Sequence, residues 1–236
     1  MEIKAEGVDK MAIKRKLSKR YSLAKLPVGW REKIFFSIHS EFLKLAVAVL
    51  SATGCRPSEI ERGVKVRMFH GHLTIGIEGA KVDLKSGRGQ PMRVLVVDST
   101  TPWGSYLSQY IAAHNIVVIR YDAGGISQRL REKSRELWPR RKSLISAYTY
   151  RHFVGKSMKE SGEPPEKIAS TLGHATDYAQ TMYGRAGGAR KSSGQHGVQV
   201  ARATNAIRHS KKTDRLNGFL NAQSHDNASS IAGDQT

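Results

Sequence analysis

Apolar residues recur at helical spacing from about Pro27 onward. Ile34, Phe35, Ile38, Phe42, Leu45, Ala46 and Val49 form a stripe that helical structure would turn toward a core, around a cap at Ser40. The stripe stops at Thr53-Gly54, where glycine admits the left-handed turn that ends a helix. Arg56 precedes Pro57, and a residue before proline is driven out of the helical region, so Arg56 is expected on a fixed loop. Pro57, with Glu59 and Ile60 behind it, opens the next helix.

Between His70 and Val97 the period changes from helical to alternating. Leu73, Ile75 and Ile77 alternate with polar residues, and Met92, Val94 and Val96 alternate again after a stretch rich in glycine and cations. This predicts a small antiparallel sheet with a long basic turn. Helical spacing returns over Pro102 to Ile119 through Trp103, Tyr106, Leu107, Tyr110 and Ile111, and Ile126 to Leu137 reads as a strongly basic helix. Further helices are expected near Ser146 to Glu160, Glu166 to Leu172 and Tyr178 to Tyr183. After Gly187 the chain turns to Gly, Ser, Ala, Asn, Arg and Lys with little periodicity. The pattern divides the chain into a basic arm over 1–26, a folded, mainly α (α+β) domain over 27–186, and a flexible, partly basic tail over 187–236. Leu216 to Leu220 is one amphipathic patch within that tail that could dock elsewhere.

Charge narrows the class. Against 20 Asp and Glu stand 39 Lys and Arg, a net charge of +19, which is the footprint of a polyanion binder; a merely basic soluble or ribosomal-type protein is the plain alternative. Lys10 to Lys25, with Met11, Ile13, Leu17, Tyr21 and Leu23 among its cations, reads as an amphipathic arm for DNA or an acidic membrane surface, or as a solvated helix. A single cysteine, Cys55, excludes an internal disulfide and supplies no zinc pattern. The strongest apolar run, Leu43 to Leu50, is too short to span a bilayer, so the chain reads as soluble and cytoplasmic.

Three distant segments carry the candidate chemistry: Thr53-Gly54-Cys55-Arg56-Pro57-Ser58-Glu59, then Tyr148-Thr149-Tyr150-Arg151-His152, then Leu172-Gly173-His174 with Tyr183 nine positions on. Two guanidinium forks match phosphate oxygens in pairs and stay charged at any relevant pH, which suits Arg56 and Arg151 to a phosphate clamp. Tyr148 lies three residues before Arg151 and would share its helix face. His174 can donate to a phosphate oxygen, neutral or charged. Taken singly, each residue has a plainer reading: surface arginine, packed tyrosine, loop histidine. Together they hold what a side-chain hydroxyl needs to cut a phosphodiester: a nucleophile, cations for the transition-state charge, and an acid for the leaving oxygen, with no metal or cofactor.

This ordered set resembles the tyrosine recombinase, or phage integrase, family over about Pro27 to Gly184, and integrases of mobile elements in particular. The resemblance implies a helical catalytic domain with a small antiparallel sheet, in which Tyr183 attacks the scissile phosphate and forms a 3′-phosphotyrosyl bond. Arg56, Arg151 and His174 would stabilise the transition state. A lysine on the basic turn would protonate the leaving oxygen: Lys81 by its offset from the preceding strand, with Lys85 as competitor. Glu59 and His152 would support the clamp, although capping a helix is an equal role for Glu59. Lys85, Arg88, Arg129 and Arg131 would contact DNA. Tyr148 stands where the family usually has histidine. Only 26 residues precede the domain, where relatives usually carry a second DNA-gripping domain, so either the basic arm replaces part of that grip or the chain is a fragment. The implied partner is double-stranded DNA, bound by a homotetramer on two duplexes, with no membrane and no small-molecule substrate. A catalytically weak DNA-binding regulator and a type IB topoisomerase are the alternative functions.

Overall fold

A computed structural model describes residue 23 and residues 26–83, 85–182 and 196–214. The basic arm, Tyr183 and the patch Leu216 to Leu220 lie outside the described residues.

The first helical stripe forms two helices. α1, Trp30–Phe36, and α2, Glu41–Thr53, are joined by a short connection that ends at Ser40, which is extended at the N-cap position of α2 and makes no side-chain capping bond. α2 is apolar nearly all round and is buried from Leu45 to Thr53, which makes it the central helix, packed against α4 (Pro102–Ala112) and α6 (Ala147–Glu160). Phe42 departs from the expected stripe: in the first turn of α2 it is exposed. α3, Pro57–Arg62, starts at the proline as expected, with Arg56 extended at φ −81° and ψ 148°.

Five strands form one antiparallel sheet in the order β4-β1-β2-β3-β5: β1 is Val64–Phe69, β2 His72–Glu78, β3 Met92–Val97, β4 Ile116–Ile119 and β5 Val198–Ala203. Val64, Val66, Leu73, Ile75, Ile77, Leu95 and Val97 line the core side. The pairing of β2 with β3 places Arg93 opposite Ile77 and Leu95 opposite Ile75. β3 therefore buries Arg93, Leu95 and Val97, whereas Met92 and Val94, the expected alternating set, face outward.

Further stretches differ from expectation. The helix read over Pro102 to Ile119 ends at Ala112; Asn115 turns the chain at φ 58°, and the β-branched run Ile116–Ile119 pairs with β1. The stretch after Gly187, read as a flexible tail, contains β5 paired with β3. Beyond β5 the chain forms a strap. Arg208 donates its N–H to Ala175 O (2.9 Å) and accepts from Asp177 N–H (3.2 Å), while the Asp177 carboxylate accepts from the Ser210 amide (3.0 Å) and the Thr213 hydroxyl (2.9 Å).

α5 runs from Ala123 to Leu137, α7 from Pro165 to Leu172, and a 3₁₀ helix from Asp177 to Met182 where an α-helix ending at Tyr183 is expected. α5 buries Ile126, Leu130 and Ser134 at i, i+4 spacing. Val154 and Met158 of α6 pack with Ile168 and Leu172 of α7, which fixes the end of α7 against α6. Among the described residues no helix is long and apolar enough to cross a membrane.

Candidate active site

The end of α2 supports the site. Gly54 closes α2 at φ 62°, in the left-handed region, and a Cβ there would lie 2.9 Å from Val154 Cβ and 3.3 Å from Arg151 Cα. Glycine thus lets α6 lie on the α2 terminus. Arg151 is buried and donates from Nη1 to Gly54 O (3.1 Å) and from Nη2 to Leu172 O. Both acceptors are carbonyls at helix C-termini, where the helix dipole favours a cation.

α7 ends in a similar turn. Gly173 is at φ 66°, and the His174 amide reaches back to Ala169 O (2.8 Å), the bond that closes a Schellman motif and brings the imidazole beside Arg151. His174 Nε2 lies 3.1 Å from Arg151 Nη2. A guanidinium only donates, so Nε2 accepts and the ring proton resides on Nδ1. Burial first, then the charges of Arg151, Arg56 and Arg93, pull the His174 pKa well below its ordinary value, and the ring is neutral.

Glu59 is fully buried in the first turn of α3. Its Oε2 accepts from the Arg56 amide (2.7 Å), as the third residue of a capping box does, and its Oε1 accepts from Arg56 Nη1 (2.8 Å). The same carboxylate therefore both caps α3 and holds the Arg56 guanidinium. Arg93 takes the remaining capacity: Nη2 to Oε2 at 2.7 Å, Nη1 to Oε1 at 3.2 Å, and Nε to Thr171 O at 2.9 Å. Burial alone would raise the Glu59 pKa; the charge and hydrogen bonds of Arg93, with Arg56 and Arg151 behind them, outweigh it and hold the carboxyl at about 2.

Arg56, Glu59, Arg93, Arg151 and His174 thus form one cluster drawn from α3, β3, α6 and the turn after α7. Three guanidinium charges against one carboxylate, with a neutral imidazole, leave these five side chains with two net positive charges. Tyr148 lies half-buried in the first turn of α6, and His152 follows Arg151 on the same helix.

Lys81, Lys85 and Arg88 are exposed on the connection between β2 and β3. Its neck is fixed: Arg62 Nη1 donates to Gly79 O (2.6 Å), and Gly89, at φ 75°, comes so close to Lys81 that a Cβ would meet Lys81 O at 2.1 Å. Lys81 stands at this neck. Lys85 lies beyond the bridge between Asp83 and Arg88, at the tip. Arg129 and Arg131 are exposed on α5, Arg129 paired with Glu132 at 3.1 Å. Tyr183, next after the 3₁₀ helix, lies outside the described residues.

No family model matches the chain and no curated protein does. Solved structures do. The XerA recombinase is 18% identical, with a TM-score of 0.51 over 67% of this chain and 58% of its own. The chain has the fold of a tyrosine recombinase. The XerH site-specific recombinase bound to difH substrate, in a pre-cleavage complex, is 14% identical with a TM-score of 0.48, over 66% of this chain and 47% of its own. The chain spans less than two thirds of the length of either recombinase.

The residue that sequence reasoning missed is Arg93. The alternation read from the sequence was Met92, Val94, Val96, but pairing with Ile77 and Ile75 buries the other set, Arg93, Leu95 and Val97.

Proposed function

We propose that this chain is a DNA strand transferase of the tyrosine recombinase type, acting in integration or excision of a mobile element. One observation carries the reading: Arg56, Arg151 and His174, distant in sequence, converge on a single buried cluster with excess positive charge. Such a cluster suits a phosphate whose charge grows in the transition state, because pre-oriented donors in a water-poor site need not reorganise.

The Tyr183 oxygen attacks the scissile phosphorus, the bond from phosphorus to the 5′ oxygen breaks, and a 3′-phosphotyrosyl bond replaces it. Arg56, Arg151 and neutral His174 stabilise the charge on the non-bridging oxygens. The departing 5′ oxygen takes its proton from Lys81. The anchored neck favours Lys81 over Lys85, since a proton donor must be held in place. A free tyrosine ionises near pH 10, and a phosphate held by Arg56 and Arg151 would bring their charge to the Tyr183 phenol and favour its phenolate. Tyr148 adds a phenol donor beside the phosphate, and Glu59 and His152 support the clamp. Lys85, Arg88, Arg129 and Arg131 hold the flanking backbone. One phosphoester replaces another, so rejoining is the reverse attack by a 5′ hydroxyl and needs no nucleotide cofactor. Four copies on two duplexes would complete an exchange.

The test is covalent trapping. Incubation with nicked duplexes from the DNA flanking its gene is expected to yield DNA attached to Tyr183 on a denaturing gel, identified by peptide mass. Tyr183→Phe should abolish the adduct and keep duplex affinity. Arg151→Ala should lower the cleavage rate much more than the affinity, because its contacts count most in the transition state. An unchanged adduct in both variants would sink the site assignment. Salt-sensitive binding without any adduct would turn the reading to a regulatory DNA-binding protein.

A further inference from the structure

Arg93 has no part in the chemistry above, yet its placement ties the two halves of the site together. It is 1% exposed, on the core side of β3. Through Glu59 it reaches α3, where the same carboxylate holds both the backbone amide and the guanidinium of Arg56. Through Nε it holds Thr171 O, in the last turn of α7, one residue before the Leu172 carbonyl that accepts from Arg151 and three before His174.

We propose that Arg93 is a positioning residue of the strand-transfer site: its guanidinium fixes the distance between Arg56 on one side and Arg151 and His174 on the other. The inference rests on the proposed function of the same cluster.

A plainer role, neutralising the Glu59 carboxylate, could be filled by any buried cation. Two features exceed that role. Arg93 uses three nitrogens of one plane on three acceptors from two elements, which a lysine ammonium cannot reproduce. The backbone before His174 also lies directly on the guanidinium, for a Cβ at Gly173 would be 2.8 Å from Arg93 Nη1 and 3.2 Å from its Cζ. A shift of Arg93 therefore displaces the Gly173 turn, and with it His174. Gln90, also buried, steadies the other side of this turn by donating to His174 O (3.2 Å) and accepting from the Asn205 amide (2.9 Å).

The experiment uses the full chain carrying Arg93→Lys, which keeps the charge and removes the fork. Melting and circular dichroism confirm folding. Three readouts follow: affinity for a nicked duplex, the rate of Tyr183 adduct formation, and the His174 ring resonances, assigned with His174→Gln. The expected result is unchanged affinity, displaced His174 resonances and an adduct rate lower by about a hundredfold, the loss typical of a misplaced catalytic group. A wild-type adduct rate in the folded variant overturns the proposal, as do His174 resonances that stay in place. If the unaltered chain forms no adduct with any duplex, the proposed function fails, and the His174 resonances alone then decide whether Arg93 positions the cluster. Should Arg93→Lys not fold, Arg93→Gln, which leaves the Glu59 bonds to Arg56 in place and removes the fork, carries the same readouts.

Discussion

A carboxylate enclosed by guanidinium groups titrates far from its usual range, and Glu59 makes this a measurable property of the protein. Its folded pKa of about 2 lies below the ordinary 4.5. For a depressed pKa, the stabilisation is fully present above the unfolded value and is lost as pH falls through the folded one, here between 4.5 and about 2. Glu59→Gln should remove that part of the acid slope in urea midpoints measured against pH. At neutral pH it should also cost about 3–5 kcal/mol, because it leaves Arg93 buried without its counter-charge. Equal acid slopes in the two proteins would refute the Glu59 assignment. Arg56, Glu59, Arg151 and His174 were legible because each sits in a short run with its own local logic: a pre-proline loop, a capping position, a helix face, a glycine turn. Arg93 had no such run. In Met92-Arg-Val-Leu-Val-Val both alternations are mostly aliphatic, and which face is buried is decided by pairing with Ile75 and Ile77.

Elements made from local pattern were readable, and those made by distant pairing were not. α2, α3, α6 and α7 follow from caps, prolines and apolar spacing. β4 and β5 form the two edges of the sheet and depend on partners far along the chain: β1 for one, β3 for the other. The strap after β5 has a titratable fastening. His209 places Nδ1 2.6 Å from Asp177 Oδ2 and Nε2 2.9 Å from Asp214 Oδ1, and those hydrogen bonds, Asp214 first, raise its pKa above the ordinary 6.5. For a raised pKa the sign is opposite to that of Glu59: the fastening is complete below 6.5 and loosens as pH climbs past the folded value. Protection factors for the Arg208 and Ser210 amides, whose acceptors are Ala175 O and the Asp177 carboxylate, should decline across that range. His209→Gln should make them pH-independent. Because the strap is bonded to residues 175–177, immediately after His174, its loosening is expected to show in the His174 ring resonances as well.

At the scale of the whole molecule, a charge of +19 suits a polyanionic partner but does not say which cations would meet it. The fold separates them. Arg93 is spent on Glu59, and Arg129 shares its charge with Glu132, whereas Arg131 is exposed on the same helix and Lys85 and Arg88 extend from the sheet on the basic turn. Each phosphate neutralised on B-DNA adds about −0.9 to the slope of log affinity against log salt. Arg131→Gln should therefore flatten the slope by up to about 0.9, and Arg129→Gln by less, since Glu132 already competes for that guanidinium. Arg93→Lys should leave the slope where it was, because a buried ion pair releases no counterions on binding. Titration of a fluorescent duplex at several salt concentrations reads all three. A slope near zero for the unaltered chain would remove DNA as the partner. A slope that Arg131→Gln leaves unchanged would instead move the duplex off α5, leaving the turn between β2 and β3, braced at its tip by Arg208 on Gly87 O at 2.8 Å, as the surface that carries it.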